Sequence, residues 1–210
     1  MQCRLFIIAV MLLVSFSIHA KGQNQYPELP KFYEVSERLY RGAQPRPGGI
    51  RRLSDLGVNT IINLRGANSQ TRADEAEAKS LGLKYYRITL PIWGRPNDAD
   101  IRRILEIITA PESGRVFIHC RDGIDRTGMI TALYLIKNES WTTEMATAEA
   151  ARSGMRRNQY WMRDYIRDFN RQQQGAGEDF DDKIGTGVRV GERVVLTVKK
   201  KAVRWFGDVF

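Results

Sequence analysis

The sequence predicts an α/β domain: a central, mainly parallel or mixed sheet of four to five strands flanked by helices. Three observations carry that expectation. Short β-branched runs such as "VNTIINLR" and "RVFIHC" read as buried strands. Stretches of about 10–15 residues with helical spacing lie between them, the length of a crossover helix. Glycine, proline, asparagine and aspartate stand at the junctions, where they start and stop helices.

Each element follows from its residues. "FYEVSERLYRGAQP" gives two short strands with a turn at Ser36 and Glu37. "PGGIRRLSDLG" is a helix, with Ile50, Leu53 and Leu56 on one face and Gly57 as its stop. The strand "VNTIINLR" comes next, then the polar helix "SQTRADEAEAKSLG", ended by Gly82. After the strand "LKYYRITLP", the helix "NDADIRRILEIITA" is capped by Asn97 or Asp98 and lines up Ile101, Ile104, Leu105 and Ile108. The strand "RVFIHC" leads into "TGMITALYLIKN", which is apolar nearly all round and therefore a central buried helix. "TTEMATAEAARSG" and "QYWMRDYIRDFNRQ" are two further helices.

The 210 residues, 42% hydrophobic and 27% charged, suit one soluble domain with its own core. The first twenty residues are different. In "MQCRLFIIAVMLLVSFSIHA", Arg4 precedes an apolar run from Leu5 to Phe16 broken only by Ser15, and the small Ala20 closes it. That is the pattern of a cleaved signal peptide over residues 1–20, and the run is short for a membrane span. Retention as an N-terminal anchor is the alternative. Residues 21–31 are a polar leader, and the expected location is exported, either periplasmic or secreted.

Cleavage removes Cys3 and His19, leaving Cys120 and His119 as the remaining cysteine and histidine. A lone cysteine makes no internal disulfide, and one Cys with one His builds no zinc site, so neither metal nor cofactor is expected. The net charge of +9 favours anionic partners, but no binding motif accompanies it, which argues against nucleic acid.

The informative stretch is "VFIHCRDGIDRTGMITALYLI". A strand ends at Cys120, a short polar loop follows, and Arg126 and Thr127 open the buried helix. Loop amides together with a helix start form a cradle for a phosphate-sized anion. The same positive field favours a thiolate. Arg126 can hold two phosphate oxygens through its planar fork, which lysine cannot do. Gly123 permits positive φ and a close approach of backbone to the anion. Thr127 is placed to donate its hydroxyl to the thiolate. A nucleophilic thiolate in an anion socket is the chemistry of cysteine-dependent phosphate-ester hydrolysis.

"HCRDGIDRTG" resembles the His-Cys-x5-Arg-Thr signature loop of the protein tyrosine phosphatase superfamily. "LYRGAQP", "GVNTIINLR" and the Gly-bounded helix before the loop are similar to its compact dual-specificity-type branch, which includes exported bacterial members and atypical plant and fungal ones. The similarity runs from about Phe32 to Asn170, within a phosphatase domain expected over residues 32–174. The resemblance implies a cysteine phosphatase-like fold and hydrolysis of phosphate monoesters through a phosphocysteine. It makes Cys120 the nucleophile and Arg126 the phosphoryl ligand. Arg121, Asp122, Gly123, Ile124 and Asp125 complete the phosphate-binding loop, with His119 orienting the loop and supporting a low cysteine pKa. The implied substrate is a phosphorylated protein, with a phosphorylated lipid, inositol phosphate or other small molecule as the alternative. A phosphate-binding module without turnover is the rival class.

Hydrolysis also needs a carboxylic acid to protonate the leaving oxygen. In the family it comes from a loop before the helix that precedes the signature strand, here "LPIWGRPNDAD". Asp98 is the candidate on that loop, and helix capping is its other reading. Asp122 and Asp125, inside the signature loop, are the alternatives. Such in-loop aspartates resemble those of myotubularin-type lipid phosphatases, and Asp125 could equally hold Arg126 or a neighbouring basic residue. The arginines of "ARSGMRRNQYWMRDYIRDFNR" read as a solvated helix face. Residues 175–187 are Gly- and acid-rich and read as a linker. Residues 188–210 form a basic amphipathic tail that either docks on the domain or contacts a membrane surface.

Overall fold

Five strands form one sheet: β1 (Tyr33–Glu34), β2 (Leu39–Gly42), β3 (Val58–Asn63), β4 (Lys84–Arg87) and β5 (Arg115–His119). Their order is β1-β2-β5-β3-β4. The β2–β5, β5–β3 and β3–β4 pairs are parallel, and β1 turns back antiparallel on β2, so the sheet is mixed. The computed structural model describes residues 26–181. The expected signal peptide, residues 21–25 of the leader, residues 182–187 of the linker and the amphipathic tail lie outside the described residues.

Among the described residues there are six helices: α1 (Gly49–Asp55), α2 (Ser69–Ser80) and α3 (Asp98–Thr109) connect strands, and α4 (Asp125–Asn138), α5 (Thr143–Arg152) and α6 (Tyr160–Asp181) follow β5. A 3-10 turn at Pro111–Ser113 precedes β5. Local chemistry sets their ends. Asn68 and Thr71 form a reciprocal capping box on α2. Asn97 accepts from the Ala99 amide, so it, not Asp98, caps α3. Gly57 and Gly82 take φ of 78° and 74° just past α1 and α2, where a side chain would be strained. α6 continues past Gln174 to Asp181, so the Gly-rich segment begins as helix. Extending a helix already anchored by Met162, Ile166 and Phe169 needs no new nucleation, and local propensity is a weak counterweight.

Strand alternation splits the core in two. Leu39, Ile62, Val116 and Ile118 face α3, α4, α5 and α6, while Tyr40, Ile61 and Phe117 pack with Ile50, Leu53 and Ala78 of α1 and α2. α4 is buried from Met129 to Leu135, as its all-round apolarity requires. The register brings Gly42 and Asn63 level with His119 on either side of β5. The carboxyl ends of three parallel strands therefore share one edge, the edge where open α/β sheets hold their ligands.

Candidate active site

Cys120 sits at that edge, 3% exposed, where β5 gives way to the loop that enters α4. It lies in a cleft of about 470 Å³ whose lining includes Arg65, Trp93, Asp122, Arg126, Arg156 and Gln159. The loop's shape follows from what its carbonyls meet. The Gln44 amide donates to the Arg121 carbonyl at 3.2 Å, and Arg41 Nη2 donates to the Gly123 carbonyl at 2.9 Å. His119 Nδ1 lies 3.2 Å from the Cys120 carbonyl, and the Gly128 amide reaches the Ile124 carbonyl at 2.7 Å. Among the described residues, no protein acceptor meets the amides of Arg121, Asp122, Gly123 or Ile124. Carbonyls tied at the rear leave that amide edge for an anion.

Gly123 has φ of 66°, as expected, but the close approach it permits is a different one. A Cβ there would come within 2.5 Å of the Gly42 carbonyl carbon and the Ala43 amide nitrogen. The glycine is needed because the backbone after β2 presses against the back of the loop. His119 also departs from its expected part. Burial, with smaller contributions from Arg65 and Arg126, pulls its pKa down to about 4. It is neutral at pH 7 and lends Cys120 no charge; its ring stacks 5.6 Å from that of Phe117 and supports the loop through the Cys120 carbonyl.

Arg126 Nη1 donates to the Leu64 carbonyl at 3.0 Å, which fixes the arm while the guanidinium lines the cleft. Thr127 beside it is buried, and its Oγ1 has no partner among the described residues. Asp125 is 6% exposed and accepts from the Arg156 amide at 2.9 Å and from Arg156 Nε at 2.7 Å. It is the brace of a neighbouring basic residue. Asp122 pairs with Arg121 and Arg156, each at 3.0 Å, and the Arg121 hydrogen bond holds its carboxyl below the usual carboxylate range.

Asp98 is not among the cleft-lining residues. It is exposed on the first turn of α3, and its Oδ1 accepts the Tyr165 hydroxyl at 2.8 Å. The Asn97 cap starts the helix there, and from the same connection it is Ile92 and Trp93 that reach the cleft. Of the three candidate aspartates, Asp122 and Asp125 line the cleft and Asp98 does not.

Sequence reasoning missed several residues of the site. Arg41 and Gln44 both lie in "LYRGAQP", and an arginine directly after the apolar Leu39 and Tyr40 of a short strand was the available signal. Arg65 Nη1 donates to Gln44 Oε1 at 2.9 Å, and the Gln44 amide group in turn bonds Asp74, whose pKa burial pushes up to about 6. Arg156, whose neighbours in sequence suggest a solvated face, instead lines the cleft and holds both loop aspartates. Gln159, 3% exposed at the start of α6, carries a buried Oε1 with no partner among the described residues.

Known proteins are similar to this chain in sequence and fold. Residues 21–167 match the family described as "DSP-PTPase phosphatase fused to NAD+ Kinase". The dual specificity protein phosphatase TpbA of Pseudomonas aeruginosa strain UCBPP-PA14 is 28% identical over 148 residues, 70% of this chain and 63% of TpbA. The chain thus spans somewhat under two thirds of that relative's length. The crystal structure of P. aeruginosa TpbA aligns with a TM-score of 0.58 at 25% identity, over 69% of this chain and 88% of the other. The core catalytic domain of the PP-IP phosphatase SIW14 from S. cerevisiae shares the fold, with a TM-score of 0.58 at 19% identity, over 73% of this chain and 93% of that one. The family match takes in the sheet, the cleft and the whole signature loop, and the chain belongs to this DSP-PTPase phosphatase family.

Proposed function

We propose that the chain is a cysteine-dependent phosphatase that hydrolyses phosphate monoesters on tyrosine or on both tyrosine and serine/threonine of protein substrates. The observation that carries this reading is Cys120 at the cleft floor, below free loop amides and beside the braced guanidinium of Arg126. In the proposed reaction, the Cys120 thiolate attacks phosphorus and the ester P–O bond breaks, with Arg126 and the amides holding the phosphoryl oxygens. The leaving oxygen takes a proton from a cleft carboxyl group. Water then attacks phosphorus, the S–P bond breaks, and phosphate leaves as the carboxylate takes up the water proton.

Asp122 is the carboxylate we assign to that proton. Its partners Arg121 and Arg156 keep it ionised in the free protein. A bound phosphate dianion competes for both arginines and adds negative charge beside the carboxyl, and each change raises its proton affinity. Exposed Ile92 and Trp93, with Met162, offer an apolar wall beside the arginines, which suits a phosphotyrosine ring. The naming of TpbA as a dual specificity protein phosphatase supports the same substrate class. Export rests on the first twenty residues, and fractionation of cells carrying a C-terminally tagged chain tests it.

The deciding experiment is turnover of p-nitrophenyl phosphate by the purified chain and by Cys120→Ser. The parent should turn over. The serine variant should lose all activity, because a neutral-pH alcohol is a far weaker nucleophile than a thiolate, while phosphate still binds. Activity retained by the serine variant would rule out the covalent route.

A further inference from the structure

We propose that Arg41 is a positioning residue of the phosphate site: it pins the Gly123 carbonyl to the rear of the signature loop and sets a fixed positive charge behind it. The inference rests on the phosphatase reading but is read by measurements that do not need turnover. Arg41 lies in β2, far from Cys120 in sequence, and parallel pairing sets it beside Ile118 of β5. Strand alternation puts its side chain on the face of Leu39, toward α4 and α5. There it is 5% exposed. A buried guanidinium is costly unless its donors are met. Arg41 meets them on both sides of the loop's back. Nη2 donates to the Gly123 carbonyl at 2.9 Å and Nη1 to Ser153 Oγ at 3.1 Å. Ser153 in turn lies 3.1 Å from a Glu149 oxygen, so the buried charge faces a carboxylate through one hydroxyl.

The charge is directed at the site. Burial lowers the affinity of Arg41 for its proton, while the groups facing it, Glu149, Cys120 and Tyr33, raise it. Arginine stays protonated throughout. Behind the loop it is therefore a fixed cation facing the place where an anion would bind. The Gly123 contact matters for a separate reason. A loop that presents amides to an anion must turn its carbonyls away, and each buried carbonyl needs a donor. Gln44 and Arg41, from the same short segment, supply two of these donors, and the Gly42–Ala43 backbone packs on Gly123 between them. The segment Arg41–Gln44 is therefore the back plate of the phosphate loop.

The test compares the parent, Arg41→Met and Arg41→Lys. Cys120 is alkylated with iodoacetate, with and without inorganic phosphate as protectant, at one fixed pH. Arg41→Met should alkylate about tenfold more slowly and need roughly tenfold more phosphate for half protection, from loss of the charge and of the amide geometry. Arg41→Lys should recover much of the alkylation rate and little of the phosphate protection, since it restores charge but not the two-way fork. Should Arg41→Met change only the thermal midpoint, with alkylation and protection within twofold of the parent, the proposal falls and Arg41 is scaffold. If Arg41→Met does not fold, Ser153→Ala removes the outer tether alone. It should weaken phosphate protection about threefold, and an unchanged value sinks the idea equally. Absence of p-nitrophenyl phosphate turnover by the parent would overturn the phosphatase reading, while the alkylation rates would still decide the role of Arg41.

Discussion

The signature loop has two sides built from the same residue types in opposite settings. Behind it, Arg41 and His119 are buried and Arg41 donates to the Gly123 carbonyl, while Arg126, which lines the cleft, is anchored in the same way on the Leu64 carbonyl. In front, the Arg121 and Arg156 side chains are 65% and 49% exposed and pair with Asp122 at 3.0 Å. Exposed pairs of that kind are worth about 0–1 kcal/mol and fade with salt, because water competes for both partners. A buried donor aimed at a carbonyl is different, since its removal leaves an unmet acceptor that costs about 1–3 kcal/mol. The rear of the loop fixes geometry, and the front is free to rearrange when an anion arrives.

The largest effect that would break this contrast is at Arg126. Arg126→Lys keeps the charge, loses the planar fork, and cannot both bond the Leu64 carbonyl and clamp a phosphoryl group. The kcat/KM for p-nitrophenyl phosphate should fall roughly 10³-fold. Kinetics within tenfold of the parent would show that charge alone suffices, as on the front.

Much of the loop's chemistry was legible in the sequence, because Cys120, Gly123 and Arg126 sit on one continuous strand, loop and helix. Its supports were not. Arg41 meets Gly123 across 82 residues, and Arg156 meets Asp125 across 31. Those meetings depend on the register of parallel strands and on where α5 ends, neither of which local periodicity specifies. Asp98 shows the same limit from the other direction. Its place along the chain suited an acid, but the turn capped by Asn97 points it at Tyr165. The strands and helices themselves were readable because β-branched runs, caps and Gly stops are local signals.

A second test concerns the buried rear in acid. His119 titrates near 4 in the folded chain, against an ordinary value of 6.5. Between those values the unfolded chain takes a proton that the folded chain refuses. The neutral ring's contribution is thus complete above pH 6.5 and is lost as pH falls toward 4, up to about 3 kcal/mol. Asp74 acts in the opposite direction, since its raised value near 6 lets the folded chain take a proton first. The measurement is therefore the difference in urea midpoint between the parent and His119→Asn at pH 7 and at pH 4.5. The variant should lose less stability on acidification than the parent. Equal losses would mean that the imidazole is hydrated and the rear is not dry.

The smallest effect, and the one that sharpens the contrast most, is on the front, at Asp122. A proton donor matters when the leaving oxygen is a poor leaving group and matters little when that oxygen departs unaided. Asp122→Asn should slow an alkyl phosphate roughly 10²-fold and p-nitrophenyl phosphate only a few-fold. Asp98→Asn should slow neither selectively, because it loses only the Tyr165 contact. Salt supplies a second reading of the same residue. If Asp122 is held ionised by exposed arginines, salt that screens those pairs should ease its protonation and raise the alkyl-phosphate rate relative to the aryl one. Leaving-group dependence that appears with Asp98→Asn and not with Asp122→Asn would move the proton donor to α3 and require that helix start to swing over the cleft. Dependence that follows Asp122 but ignores salt would mean that the front is as fixed as the rear, and the contrast between the two sides would then be one of exposure alone.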